Sequence, residues 1–185
     1  MKDWILSVPF GAYEYNLMFL ALLFGRGMDL LSTWVATPNL VLEANPIARR
    51  LGWRGGLVFN FVLCFSAAFF PLVAVMVTTT SVMVAARNFK TAWLMRAMGE
   101  ERYLAFILNQ VSVSNRRVYV FCILAEGILV STVGLVIALQ SEVPSVPMAI
   151  GAGITAYAVA VVFYSCLSLW RSRWGQTNDD LSESR

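Results

Sequence analysis

Arg26, Asp29 and Thr33 stand at i, i+3 and i+7 inside a run of apolar residues, with Ser32 beside them. In a helix these positions share one face, so a guanidinium, a carboxylate and two hydroxyls would form one stripe. On an insertion scale a central Arg or Asp costs about 2.5–3.5 kcal/mol. The nine Leu, Phe and Val residues from Leu17 to Val35 offset roughly 3–5 kcal/mol of the pair's combined cost. Such a helix is marginal alone, and its polar stripe should face a protein interior or a water-filled pocket. Three kinds of chemistry suit that stripe. It could be an ion pair that fixes helix register, a site that binds or conducts a small polar ligand or proton, or an acid–base centre.

Four further residues extend the site. Asn60 falls in the first turns of the second expected span, level with Asp29. Glu126 lies near the middle of the third. If the first span runs outward, Arg26 is about ten residues from its outer end, roughly 15 Å deep at 1.5 Å per residue. Glu126 would then meet Arg26 at the midplane, with Arg26–Asp29 as the competing pair. Glu43 and Asn45, in the loop above, would form a lid. Arg26 disfavours a cation in this pocket and favours a carboxylate or an anionic head.

Several enzyme classes lack their parts. The chain has no histidine, which removes HExxH zinc proteases, Ser–His dyads, histidine-ligated haem and histidine phosphatases. Gly25-Arg26-Gly27-Met28-Asp29 has one residue too many for the GxGD pattern of intramembrane aspartyl proteases, and no second aspartate lies within a span. Cys64, Cys122 and Cys166 are isolated within spans, with no metal or redox spacing, and suit packing. No cofactor and no metal ligand set is expected. Asp29 and Glu43 are the groups an unfamiliar membrane enzyme would use.

The elements that must position these residues follow from composition. The 185-residue chain is 58% hydrophobic and 14% charged, against about 25% charged in soluble domains. The apolar residues collect in four runs, at about 15–35, 56–86, 118–139 and 147–170. These predict an all-α integral membrane four-helix bundle, a single domain over 1–175, with a disordered polar tail at 176–185. Pro71 should kink the long second span. Asn45-Pro46 reads as an N-cap and first helical position, so a short outer-surface helix should end at Gly52. The stretch from Arg87 to Arg117 reads as a cytoplasmic amphipathic extension broken at Gly99. Small residues on spans three and four, among them Gly127, Gly134, Ala152 and Ala156, read as helix-packing faces.

Arg87, Lys90, Arg96, Arg102, Arg116, Arg117, Arg171 and Arg173 flank the spans. By the positive-inside rule they put both termini and the middle connection in the cytoplasm of an inner-membrane, multi-pass protein. Arg49, Arg50 and Arg54 then lie on the outer side, against the rule. The expected partners are the lipid bilayer and its anionic headgroups, and a membrane protein partner or a second copy. Nucleic acid is not expected.

Asp29-x-x-Ser32-Thr33 followed by Glu43-Ala44-Asn45-Pro46 resembles a family of small bacterial and archaeal membrane proteins of unknown function. That family carries Asp and Thr late in the first of about four helices, then Glu-x-Asn-Pro. The likeness covers about Phe24 to Gly56 and implies that Asp29, Thr33, Glu43, Asn45 and Pro46 are signature positions. It implies no activity, substrate or cofactor, and Arg26 and Glu126 lie outside the pattern. The leading expectation is a non-enzymatic protein that binds or transports a small polar or anionic-headed ligand, or a proton. The alternative is an accessory subunit of a larger membrane complex.

Overall fold

The computed structural model describes residues 7–43, 45–113 and 115–183, without the side chains of 111, 112, 116 and 168–183. Among the described residues the fold is all-helical. The elements are α1 (Tyr13–Ala36), α2 (Pro46–Ala67), α3 (Pro71–Met98), α4 (Glu100–Val113), α5 (Arg116–Gln140) and α6 (Val146–Glu183). Four are long and apolar enough to cross a membrane: α1, α3, α5 and the Val146–Leu167 part of α6. Large apolar side chains such as Phe59, Leu129 and Leu139 point away from the protein, Leu139 with 81% of its surface exposed. A water-soluble monomer rarely leaves apolar surface on this scale. The surface is that of a membrane protein.

The second expected span is two elements. Residues 56–67 belong to α2 and residues 71–86 to α3. Pro71 causes this, by more than a kink. It holds the first turn of α3, where its missing N–H is no loss, and it pushes Phe70 into an extended conformation (φ −120°, ψ 90°). The chain turns at Ala68–Phe70 and starts a new helix.

That break decides the topology. Gly25 packs on Thr78, Arg26 reaches Ser81, Asn88 reaches Ser32, and Thr37 reaches Glu100. Each step along α1 is matched by a step in the same direction along α3, so the two are parallel. Parallel neighbours need a return segment, and α2 supplies it. Trp53 Nε1 donates to Pro38 O at 2.7 Å near one end of α1. Tyr15 Oη donates to Phe65 O, and Val8 N to Phe69 O at 2.9 Å, near the other. On the far side α5 and α6 are antiparallel through small residues. A Cβ on Gly151 would lie 2.5 Å from Gly134 O and 2.6 Å from Ala138 N, while Gly127 packs on Val162 and Ala158. Of the small residues read as packing faces, Gly127 and Gly134 pack closely, whereas Ala152 is half-buried and Ala156 is exposed. Thr80 Oγ1 donates to Gly153 O, and Arg87 pairs with Glu126 level with Val162. This makes α6 parallel to α3, and so to α1.

Two expectations change. An arrangement with both termini on one side needs α1 and α6 to oppose each other, and they do not. The N-terminal end of α1 and the C-terminal end of α6 lie at opposite ends of the molecule. The stretch 176–183, expected as a disordered tail, continues α6 as far as Glu183; no proline interrupts it. Residues 184 and 185 lie outside the described residues.

Local signals act as the sequence implied. Asn45 Oδ1 accepts from Ile47 N at the start of α2. The helical turn it opens breaks at Gly52, whose φ of 62° suits glycine. Gly99, at φ 81°, separates α3 from α4. Asn115, which the sequence did not single out as a cap, accepts from Arg117 N at the start of α5. At the end where α1 begins, Tyr15, Leu22, Cys64, Ala68 and Ala74 form a buried core. Phe10, Phe19, Phe61, Phe65 and Phe69 pack on or around Tyr15, ring centroids 4.9–6.2 Å apart. Of the cysteines only Cys64 is buried; Cys122 and Cys166 are exposed.

The α5–α6 contact is backbone against backbone, so added volume there must push the helices apart. Gly151→Val should lower unfolding stability in detergent by about 1–3 kcal/mol. Gly27→Ala, at a position with nothing within 4 Å, should leave the thermal midpoint unchanged.

Candidate functional site

Arg26 is the residue around which three helices organise. Its Nη1 pairs with Asp29 Oδ2 at 2.7 Å, one helical turn away, and donates to Ser81 Oγ on α3 at 3.1 Å. Its Nε donates to Asn60 Oδ1 on α2 at 2.5 Å. Asn60 is itself buried and returns its amide to Gly56 O. The guanidinium is planar, so one group can hold partners on several sides. Arg26–Asp29 is thus the pair that forms.

Glu126 does not meet Arg26. It pairs with Arg87 at 2.5 Å, both side chains partly exposed. Level arithmetic put Glu126 near Arg26 but carried no information about azimuth. The strip of α1 that Arg26 occupies is covered by α2 and α3, while α5 packs on α6.

The remaining predicted residues sort by their neighbours. Ser32 is fully buried; its Oγ donates to Asp29 O and accepts from Asn88 Nδ2, which makes it a packing hydroxyl. Thr33 Oγ1 accepts from the same Asn88 amide. Glu43 Oε1 accepts from Asn45 N at 2.7 Å.

A cavity of about 540 Å³ joins them. Arg26, Asp29, Thr33, Glu43, Asn45 and Asn60 all line it, which is six of the eight predicted residues; Ser32 and Glu126 stand outside. Leu42, Met95, Leu104, Ile107 and Leu108 supply apolar wall. Trp53, Arg87, Asn88, Tyr119, Tyr164 and Ser165 also line it, and sequence reasoning did not place them there. Asn88 had a usable signal: it follows Ser81 by seven residues, so both fall on one face of α3. For Tyr119, Tyr164 and Ser165 nothing in the sequence distinguishes the cavity from lipid. Among the described residues no group of three or more His, Cys, Asp or Glu is placed to hold a metal ion.

Comparison with protein-family models, curated proteins and solved structures finds no match. The site stands on its own geometry.

Glu100 has a role its position in a charged stretch did not suggest. Its Oε2 accepts from Thr37 Oγ1 and Val41 N, and its Oε1 from Asn39 N and Asn39 Nδ2. One carboxylate at the start of α4 thus gathers the whole α1–α2 loop, which carries the cavity residues Leu40, Leu42 and Glu43. Leu40 adopts φ 58° there, a conformation that costs roughly 1–2 kcal/mol for a residue other than glycine, and the clasp helps hold it. Burial pushes the Glu100 carboxyl up, but the hydrogen bonds from Thr37, Asn39 and Val41 outweigh it and hold the group below its ordinary value of 4.5.

A lowered carboxyl value favours the clasp above the ordinary carboxylate range and releases it as pH falls through the lowered value. The amides of Asn39 and Val41 should therefore be protected at neutral pH, relative to an unstructured chain at the same pH, and lose that protection on acidification below the ordinary carboxylate range. Glu100→Gln should show fast exchange already at neutral pH and no acid step.

Proposed function

We propose that this chain is a multi-pass protein of the cytoplasmic membrane that binds a small polar ligand in the cavity floored by Arg26, Asp29 and Asn60. The observation that carries this reading is the convergence of six of the eight candidate polar residues on one cavity. Its volume of about 540 Å³ lies within the usual range for ligand sites, about 300–1,000 Å³. Intramembrane ionisable groups that line a cavity, and do not merely pair between helices, favour a ligand role over a purely structural one. Asp29, Thr33, Glu43 and Asn45, four of the positions in the Asp-x-x-Ser-Thr and Glu-x-Asn-Pro pattern, face this same space.

The cavity opens toward the cytoplasm in this reading. Arg49, Arg50 and Arg54 of α2 lie at the end of the molecule where α3 finishes. Lys90, Arg96 and Arg102 are near that end, and Arg171 and Arg173 follow the apolar part of α6 there. The other end carries Glu14 and the turn with Glu142. With α2 as a fifth traverse, the arginines that broke the positive-inside rule now obey it. The N-terminus is then outside and the C-terminus inside. The aromatic cluster around Tyr15 closes the outer end, so ligand enters from within.

Orientation is testable in cells. In a chain with its three cysteines replaced, Glu142→Cys should react with a membrane-impermeant maleimide added outside, and Arg50→Cys only after lysis. Outside labelling of Arg50→Cys would reverse the orientation.

Binding is testable by native mass spectrometry of protein extracted in native lipid. A small-molecule adduct should be present and should vanish in Thr33→Leu, which fills the cavity, with yield retained. A stoichiometric protein partner with no small-molecule adduct would favour the accessory-subunit reading.

A further inference from the structure

The charges that line the cavity point to the class of ligand it takes. Arg26 is matched by Asp29 at 2.7 Å, with Asn60 and Ser81 on its remaining sides. Arg87 is matched by Glu126 at 2.5 Å. With both arginines matched, Glu43 is the one charged side chain of the lining left without an opposite charge among the described residues. Its carboxylate takes a single backbone N–H, from Asn45, which leaves most of its acceptor capacity free.

We propose that the cavity selects an organic cation, an ammonium group on a short apolar body, with Glu43 as its counter-ion. The proposal deepens the cavity reading above and rests on it. It reverses the anionic preference that a free Arg26 implied, because that guanidinium is already engaged. An uncompensated carboxylate in a cavity walled largely by hydrocarbon attracts a cation more strongly than the same group in water. Trp53, Tyr119 and Tyr164 line the same space, and aromatic rings favour organic cations. Leu42, Met95, Leu104, Ile107 and Leu108 offer apolar surface for the ligand's body.

The test compares three probes of one size, hexylammonium, hexanoate and hexanol, by calorimetric titration into the full chain in lipid nanodiscs, with empty nanodiscs subtracted. Hexylammonium should bind more tightly than either of the others. Glu43→Gln keeps an acceptor for the Asn45 N–H, so the turn survives. It should weaken hexylammonium by about tenfold or more and leave hexanol unchanged. Hexanoate binding as tightly as hexylammonium, or an amine affinity untouched by Glu43→Gln, overturns the cation assignment. Equal binding of all three leaves the cavity a ligand site without charge selection. Saturable binding of none overturns the cavity reading along with the cation.

Discussion

A guanidinium in the middle of an apolar helix is the constraint on which the rest of this structure depends. Arg26 cannot be left to lipid, and its one-turn pairing with Asp29 satisfies only part of its donor fork. The remaining donors need oxygen from other helices, and Asn60 and Ser81 provide it. One side chain therefore ties α1, α2 and α3 together. Breaking such a partly buried pair costs more than never having built it, because one charge is left without its partner. The network also explains why space remains nearby. Polar groups held apart by fixed hydrogen-bond geometry do not interdigitate as apolar side chains do, and the cavity lies directly on this floor.

The same tie accounts for α2, the least membrane-like of the long elements. Arg49, Arg50 and Arg54 occupy its first turns, and only Asn60, Cys64 and Ala67 of its residues are buried. It is anchored at points: Trp53 on Pro38, Asn60 on Arg26 and Phe65 on Tyr15, with Phe69 of the following turn on Val8. By contrast α5 and α6 meet along a seam of glycine and alanine where backbones touch, the packing that lipid favours between apolar helices. The protein has a closely packed side and a side held by polar anchors, and the cavity lies on the latter.

The wall of the cavity at the basic end depends on a different kind of contact. The α1–α2 loop is tied down by a carboxylate. Glu100 accepts hydrogen bonds from both backbone and side chains of that loop. Gly99, in a conformation that favours glycine, lets α4 turn to present it. The floor is fixed by an ion pair within hydrocarbon and the loop by a charged clasp nearer water. Solution conditions act on the second far more readily than on the first.

Hydrophobic run length, cap residues and cost determined a good deal from sequence alone. The bounds of α1, α5 and the start of α6 follow from apolar runs, since a helix that faces lipid must be apolar over most of its surface. Asn45, Gly52 and Gly99 mark ends or breaks because local backbone geometry selects those residue types. The stripe Arg26, Asp29, Thr33 could be singled out because charge in hydrocarbon is expensive wherever it sits. What sequence left open is direction and azimuth. A continuous apolar stretch from 56 to 86 looks like one span, whether or not Pro71 ends a helix. That choice set whether α3 runs with α1 or against it. Only packing in three dimensions decided that Arg26 would face Asn60 and Ser81 while Glu126 turned to Arg87. Hydropathy records how deep a residue lies and has no term for which neighbour it faces.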